Sequence, residues 1–77
     1  MKVYSAKLIK LNNPSKYMFN VISVKPNKKY GYFEITTKIY HHEFIEIKRF
    51  NEVDYIELYE NLSWGHNDKV LEVIRQD

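Results

Sequence analysis

Three adjacent side chains, His41, His42 and Glu43, combine the residue types that bind metal ions. Imidazole nitrogens and carboxylate oxygens are common ligands of zinc, which takes four ligands in a tetrahedron. Neighbouring residues of an extended chain point to opposite faces, so His41 and His42 do not readily share one ion. His66, the remaining histidine, is distant in the sequence. The pattern therefore predicts a polar turn with exposed imidazoles and no metal site.

Covalent and acid-base catalysis lack a recognisable arrangement in this chain. No serine belongs to a Ser-His-Asp order or to a Gly-x-Ser-x-Gly elbow. The chain has 2 glycines, too few for a glycine-rich loop that cradles phosphate. We therefore predict a protein that is not an enzyme and holds no cofactor. A small ribonuclease that uses His, Lys and Tyr side chains is the enzymatic alternative.

Basic and aromatic side chains are interleaved between residues 25 and 38. Lysines bound to phosphates gain free energy by releasing counterions, and exposed aromatic rings stack on bases. The residues 29–35, KYGYFEI, resemble the basic-aromatic-glycine strand of cold-shock and RNA-recognition modules, and the resemblance implies base stacking by the tyrosines. The glycine spacing of those families is offset from this one, and a second aromatic strand motif is lacking. The residues predicted to bind nucleic acid are Lys25, Lys28, Lys29, Tyr30, Tyr32 and Lys38.

Aromatic and acidic side chains nearer the C-terminus indicate a protein interface instead. Tyrosine and tryptophan are enriched among the residues that dominate binding energy. The residues predicted to bind protein are Tyr55, Glu57, Tyr59, Glu60 and Trp64. We place this hypothesis ahead of nucleic-acid binding because no nucleic-acid motif is complete. It predicts a small non-enzymatic protein that engages a host protein or nucleoprotein, as a phage or mobile-element inhibitor of host defence would.

The element that must position many of these residues is a central hairpin within residues 28–50. Its two halves are rich in β-branched and aromatic residues, which favour half-buried strands. A three-residue turn at residues 40–42 predicts that Glu34 lies opposite Lys48. One face of this predicted hairpin carries Phe33, Ile35, Thr37, Ile39, Ile45 and Ile47. The other carries Tyr30, Tyr32, Thr36, Lys38, Phe44 and Phe50, and is either a second core layer or a binding face.

Two further strands are predicted before the hairpin. Residues 2–11 and 17–25 are joined by Asn-Asn-Pro-Ser-Lys at residues 12–16, which is typical of a turn. Pairing across this turn places Ala6 opposite Ile22. Both faces of these strands are partly apolar, which suits a curled sheet or a small barrel better than a flat sheet.

A helical period follows the hairpin, at Tyr55, Leu58, Tyr59 and Leu62. It predicts a helix from about Glu52 to Ser63 with an acidic, solvated side. Residues 68–77 fit a short helix or a strand, and their β-branched content favours a fifth strand. The predicted fold is therefore α+β: a small curled antiparallel sheet or partly open barrel, formed by a four-strand meander and a fifth strand, with one helix near the C-terminus.

Length and composition predict one domain, residues 1–77, with a core near the lower limit for independent stability. A homodimer is compatible with so small a core. Cysteine is absent, which excludes disulfides and cysteine-ligated zinc. Lysines interrupt the apolar residues near the N-terminus, so we expect no signal peptide or membrane span. The expected location is the cytoplasm, that of the host cell if the gene is viral.

Charge is unevenly divided along the chain. Residues 1–33 contain seven lysines and no acid, whereas residues 34–77 contain ten acids and five basic residues. One interpretation is a basic surface that meets a polyanion. The other is that the two parts neutralise each other in the folded sheet.

Overall fold

The computed structural model describes residues 2–60 and 69–77, and the regular elements in these residues are all β-strands. They are β1 (Tyr4–Ile9), β2 (Lys16–Asn27), β3 (Tyr32–Ile39), β4 (His42–Arg49), β5 (Tyr55–Tyr59) and β6 (Val70–Arg75). All pair antiparallel within one six-stranded sheet. The predicted α+β class is therefore wrong, because the described part of the chain is all-β. No helix capable of spanning a membrane occurs in that part.

The strand order in the sheet is β4-β3-β2-β1-β5-β6. Strands β1 to β4 form the predicted four-strand meander, and the strand predicted within residues 68–77 is present as β6. Strand β5 returns to pair with β1 on the far side of the meander. Because β6 also approaches β2, from which β1 and β5 separate it in the order, the sheet is curled rather than flat.

One face of the sheet, the core face, carries the buried apolar side chains. These are Ala6, Leu8, Val21, Phe33, Ile35, Val53, Ile56, Leu58 and Ile74. Five strands and the β4–β5 connection supply them, whereas β4 supplies none. The ring of Phe50 packs edge-on against Phe33, with centroids 4.9 Å apart. The opposite side of the sheet is the outer face.

Strand β2 bends, and the bend allows the sheet to curl. The strand has 12 residues, and its register shifts against β1 between Met18 and Val21 and against β3 between Val21 and Ser23. Asn20 lies at the first shift with a φ of 59°, a left-handed conformation that asparagine adopts more readily than most residues. Such bulges increase the local twist and re-aim a strand.

The connection between β4 and β5 closes one end of the sheet. The Gln76 side chain donates to the carbonyl oxygens of Phe50 and Val53, at 3.0 Å each. The backbone N–H of Asp54 donates to the carbonyl oxygen of Ile9 at 2.8 Å. These bonds tie the connection to both β1 and the C-terminal residues, so Val53 is held in the core.

The register of the central hairpin differs from the predicted one. The turn contains two residues, Tyr40 and His41, and Glu34 pairs with Ile47 rather than with Lys48. The prediction was wrong because it required the isoleucines of β4 to fill the core. Side chains from β5, β6 and the β4–β5 connection fill it instead. A shift of one residue moves the side chains of a strand to the other face, so the isoleucines of β4 lie on the outer face.

The register between β1 and β2 was also predicted wrongly. Ala6 pairs with Met18, not with Ile22. The cause lies in the connecting loop, where the Asp54 carboxylate accepts the backbone N–H of Leu11 at 2.7 Å. This bond keeps Leu11 out of the strand ladder and lengthens the loop.

The predicted C-terminal helix is contradicted by β5. Ile56 and Leu58 are buried on the core face and alternate with Glu57, which is the period of a strand. The helical spacing was coincidental and left Ile56 out of the predicted apolar face. Backbone pairing with β1 outweighs local helical propensity here. Residues 61–63 of the predicted helix lie outside the described residues.

Candidate functional site

An exposed apolar surface lies on the outer face of the β3–β4 hairpin. This hairpin face consists of Tyr32, Glu34, Thr36, Lys38, Glu43, Ile45, Ile47 and Arg49. Residues directly opposite in an antiparallel pair lie on the same side of the sheet, so the register fixes this set. Ile45 is 64% exposed and Ile47 is 45% exposed. Two adjacent isoleucines are thus open to contact.

The β2–β3 turn adds stacked tyrosines to the hairpin face. The rings of Tyr30 and Tyr32 lie 6.5 Å apart between centroids, at an interplanar angle of 13°. The Asn27 side chain accepts the Tyr30 backbone N–H at 3.1 Å and donates to the Tyr32 hydroxyl at 3.2 Å. Gly31 closes the turn with a φ of 73°, which costs glycine little. The order Asn-x-x-Tyr-Gly thus builds the turn that presents Tyr30.

Charged side chains of both signs interrupt the hairpin face. Lys38 lies opposite Glu43 across β3 and β4. Glu34 lies between Lys25 on β2 and Ile47 on β4. Each of these lysines therefore has a carboxylate as its cross-strand neighbour. The result is a mixed surface rather than a basic stripe.

Five of the six predicted nucleic-acid residues lie in or near the β2–β3 turn, whereas Lys38 lies at the opposite end of β3, opposite Glu43. Lys25, Tyr32 and Lys38 lie on the outer face of β2 and β3, and Lys28, Lys29 and Tyr30 lie in the β2–β3 turn. The Lys29 ammonium lies 5.3 Å from the centre of the Tyr30 ring, within range of a cation–π contact. The densest basic and aromatic group is therefore the turn itself.

The predicted protein-binding residues of β5 lie on a different part of the outer face. Tyr55, Glu57 and Tyr59 alternate there with core residues, and the Arg75 guanidinium lies 5.6 Å from the centre of the Tyr55 ring. Tyr59 is buried, and its hydroxyl donates to the Glu57 carboxylate at 3.0 Å. Burial, and then the bond to Glu57, raise the pKa of Tyr59 to about 12. The Tyr59 hydroxyl and the Glu57 carboxylate are therefore partnered within the chain.

Glu60 and Trp64 complete the predicted protein-binding set. The Glu60 carboxylate pairs with the Lys2 ammonium at 2.8 Å. Their hydrogen bond raises the pKa of Lys2 and lowers the pKa of Glu60. Exposed pairs of this kind contribute little to stability. Trp64 lies outside the described residues.

A polar cleft of about 280 Å³ opens beside the β1–β2 loop. Its polar lining residues are Lys10, Asn13, Lys16, Lys48, Asn51 and Glu52. Lys10 pairs with Asp54 at 3.4 Å, and Lys48 lies 3.9 Å from the Glu46 carboxylate. The Leu11 backbone N–H, and then Lys10, lower the pKa of Asp54. Carboxylates thus offset two of the lysines, and the cleft has no concentrated charge that would select an anion.

His41, His42 and Glu43 lie in the β3–β4 turn and at the start of β4. In residues 2–60 and 69–77, no three His, Asp or Glu side chains come close enough to hold a metal ion. His66 lies outside these residues. The turn does present Tyr40, which is 89% exposed and has a φ of 58°.

Sequence reasoning missed Ile45 and Ile47 as surface residues because it assigned them to the core. The pattern that could have revealed them is the alternation of β5, since Ile56 and Leu58 already supply core side chains on the far side of β1. No feature of the dipeptide Tyr40-His41 indicated a two-residue turn, because such turns usually contain Gly, Asn or Asp.

Comparison with known proteins places the chain in no family. No protein-family model, curated protein or solved structure matches it. Its class therefore follows from the fold of residues 2–60 and 69–77: these form one curled antiparallel sheet, all-β, with an edge hairpin that exposes apolar and aromatic side chains.

Proposed function

We propose that this chain is a non-enzymatic binding protein that engages another protein through its hairpin face. The observation that carries the proposal is the exposure of Ile45 and Ile47 beside the stacked Tyr30 and Tyr32. An inhibitor or adaptor acts in this way, because it changes its partner by covering part of the partner's surface.

The composition of the hairpin face supports a protein partner. Single exposed apolar residues are ordinary, but adjacent ones rimmed by charge are typical of interaction sites. Burying an isoleucine side chain stabilises a complex by about 1.5–3 kcal/mol before the costs of association. Tyr30 is 65% exposed, and tyrosine is enriched among hot-spot residues. Isoleucines at the centre and charges at the rim match the usual arrangement of an interface.

Nucleic-acid binding is the second candidate, supported by Lys28, Lys29 and the tyrosine pair in the β2–β3 turn. Against it, Glu34 and Glu43 lie within the same face, opposite two of the lysines that would contact phosphates. Isoleucine side chains also provide neither base stacking nor phosphate contacts. We therefore place protein binding first.

A capture experiment with matched variants tests the proposal. The immobilised chain is exposed to a nuclease-treated lysate of the source cell, beside Ile47→Ser and Val73→Ser variants. Val73 is an exposed apolar residue of β6, so it controls for the loss of any surface β-branched side chain. We expect a protein that the wild type and the Val73→Ser variant retain and the Ile47→Ser variant loses. Equal capture by all three would refute the proposed face.

The purified partner then distinguishes the two candidates by affinity and salt dependence. For a protein partner we expect Tyr30→Ala to weaken binding by about 2 kcal/mol, roughly thirtyfold. The combined Lys25→Ala, Lys28→Ala and Lys29→Ala variant should bind almost normally. If that variant instead flattens the plot of log affinity against log salt by about 2 to 3 units, phosphate contacts dominate and the second candidate is correct.

A further inference from the structure

Strand β4 lies at one edge of the sheet. Its backbone pairs with β3 on one edge, and no described strand pairs with its other edge. A two-residue turn makes the first pair of a hairpin a hydrogen-bonded pair, and bonded and non-bonded pairs then alternate. The backbone N–H and C=O groups of alternate residues therefore point away from β3. In β4 these residues are Glu43, Ile45, Ile47 and Arg49.

Two hydrogen bonds agree with this assignment. The Phe50 N–H donates toward β3, to the Gly31 carbonyl at 2.9 Å. The Arg49 N–H instead donates to the Glu52 carboxylate at 3.2 Å. The backbone of Arg49 is thus already engaged. The stretch that can accept another strand is the one before it.

We propose that a second copy of this chain pairs with this edge, β4 against β4. The two strands run antiparallel about a two-fold axis that is perpendicular to the sheet and passes beside Glu46. The two sheets then form one continuous sheet. Such an axis keeps both outer faces on the same side, and each residue pair occurs twice, as in any isologous interface.

The order of side chains along β4 is self-complementary. Its outer face carries Glu43, Ile45, Ile47 and Arg49, that is, acid, isoleucine, isoleucine and base. An antiparallel copy centred on Glu46 reverses this order. Ile45 then faces the second copy's Ile47, and their outward N–H and C=O groups form the backbone bonds. Glu43 faces the second copy's Arg49, so both outer ends form pairs of opposite charge.

Neighbouring registers lose this match. With Ile45 on the axis, Glu43 faces the second copy's Ile47. With Ile47 on the axis, Ile45 faces the second copy's Arg49. In each register the backbone hydrogen bonds between the two edges replace hydrogen bonds to water, so they favour no register strongly. The pairing of side chains therefore decides the register. A second copy fits this edge better than an unrelated strand because the match arises from the sequence of β4 itself.

Glu46 lies at the two-fold axis, so the proposed pairing brings the Glu46 carboxylates of the two copies together on the core-face side of the sheet. Lys48 offsets this repulsion, since its ammonium lies 3.9 Å from the Glu46 carboxylate of its own chain. The second copy's Lys48 lies diagonally opposite, within reach of a long side chain. The pairing thus creates a net-neutral group of two acids and two lysines.

Cysteine cross-linking tests the register directly, because the chain contains no cysteine. At the axis, the Cα atoms of non-hydrogen-bonded partners lie about 4.5 Å apart, within the range of about 4.4–6.8 Å that a disulfide spans. Glu46→Cys should therefore form a covalent dimer under mild oxidation at micromolar concentration. Ile45→Cys and Ile47→Cys are matched controls on the same strand. In each of them the Cα atom lies about 8 Å from that of the same position in the second copy, too far for a disulfide.

The expected pattern on a non-reducing gel is a dimer for Glu46→Cys and monomers for either control alone. An equimolar mixture of Ile45→Cys and Ile47→Cys should form a mixed dimer, because these positions face each other. A monomeric Glu46→Cys variant, or faster cross-linking of either control alone, overturns the proposal.

Charge reversal tests the same pairing without a covalent bond. Sedimentation equilibrium should show a wild-type dimer, and Glu43→Arg or Arg49→Glu should each weaken dimerisation about tenfold. The double variant restores opposite charges and should recover the dimer. Glu72→Arg, the same charge change on exposed β6, should have no effect. A double variant no better than the single ones overturns the pairing. All measurements use the purified chain alone, so their outcome is independent of the proposed partner.

Discussion

Replacing either of two isoleucines in the β3–β4 hairpin tests the observed register, because the register determines how much each replacement lowers the free energy of unfolding. Ile35 is 0% exposed on the core face, whereas Ile45 lies on the outer face. Replacing Ile35 by Ala removes three carbon atoms at about 0.8 kcal/mol each, and the cavity left behind raises the expected loss to about 3–4 kcal/mol. Ile45 is about one-third buried, so Ile45→Ala should cost only about 0.5–1 kcal/mol. Leu58→Ala, in the same core as Ile35, should cost about 2–5 kcal/mol.

Urea unfolding followed by far-ultraviolet circular dichroism measures these losses. A chain of this length is expected to have a total stability of about 4–12 kcal/mol, so Ile35→Ala should leave a measurable but much weakened fold. Ile35→Val, with an expected loss of about 0.5–1.5 kcal/mol, serves if the Ala variant is too unstable. Equal losses for Ile35→Ala and Ile45→Ala would refute the observed register, because they would place both side chains in the core.

Three further predictions concern single side chains. The Leu11 backbone N–H is the main cause of the lowered pKa of Asp54. The ionised carboxylate therefore stabilises the folded chain above about pH 4, and this contribution is lost as the pH falls below that value. The difference in free energy of unfolding between the wild type and Asp54→Ala should accordingly be smaller in urea melts at pH 2 than at neutral pH. The pKa of Tyr59 is raised to about 12, so its stabilisation is complete below about pH 10 and is lost as the pH rises toward 12. Tyr59→Phe should remove this alkaline loss, and a spectrophotometric titration that detects no late-titrating tyrosine in the wild type would contradict it. Tyr40→Gly should stabilise the hairpin by about 0.5–1 kcal/mol in the same melts, because glycine adopts the positive φ of this position without strain. An unchanged urea midpoint would show that the Tyr40 backbone is not strained.

The strands of the meander could be predicted because their composition leaves few alternatives. Runs of β-branched and aromatic residues separated by turn residues specify strands locally. Their registers could not be predicted, since each depends on a distant group. Asp54 sets the end of β1 by binding Leu11 across 43 positions of sequence. Likewise, β4 pairs as it does because β5 and β6 have already filled the core.

Strand β5 shows why local periodicity can mislead. Its five residues, YIELY, are too short to distinguish a helical spacing from strand alternation. The deciding factor is the free edge of β1, which β5 occupies through five consecutive residue pairs. No residue within the segment indicates that this edge is free. The predicted helix and its acidic, solvated side were therefore both wrong.

The candidate site was only partly visible in the sequence. Tyr30 and Tyr32 were recognised as potential binding residues from their type and spacing, and the structure stacks their rings. Ile45 and Ile47 were hidden by the assumption that isoleucine marks a core. That assumption fails in small sheets, where edge strands retain apolar side chains that the core has no room to bury.

The uneven charge of the sequence is largely balanced by the order of the strands. Lysines of residues 1–33 meet acids of residues 34–77 in the pairs Lys2–Glu60, Lys7–Glu57, Lys10–Asp54 and Lys25–Glu34. These pairs arise because β1 lies between β2 and β5, and β2 lies beside β3. Of the other three lysines, Lys16 lines the cleft beside the β1–β2 loop together with Glu52, and Lys28 and Lys29 lie in the turn with Tyr30. Two phosphate contacts would give a salt slope of only about −2, which is shallow for a nucleic-acid-binding protein. The same pairing that stabilises the sheet thus removes most of the basic surface that a polyanion would require.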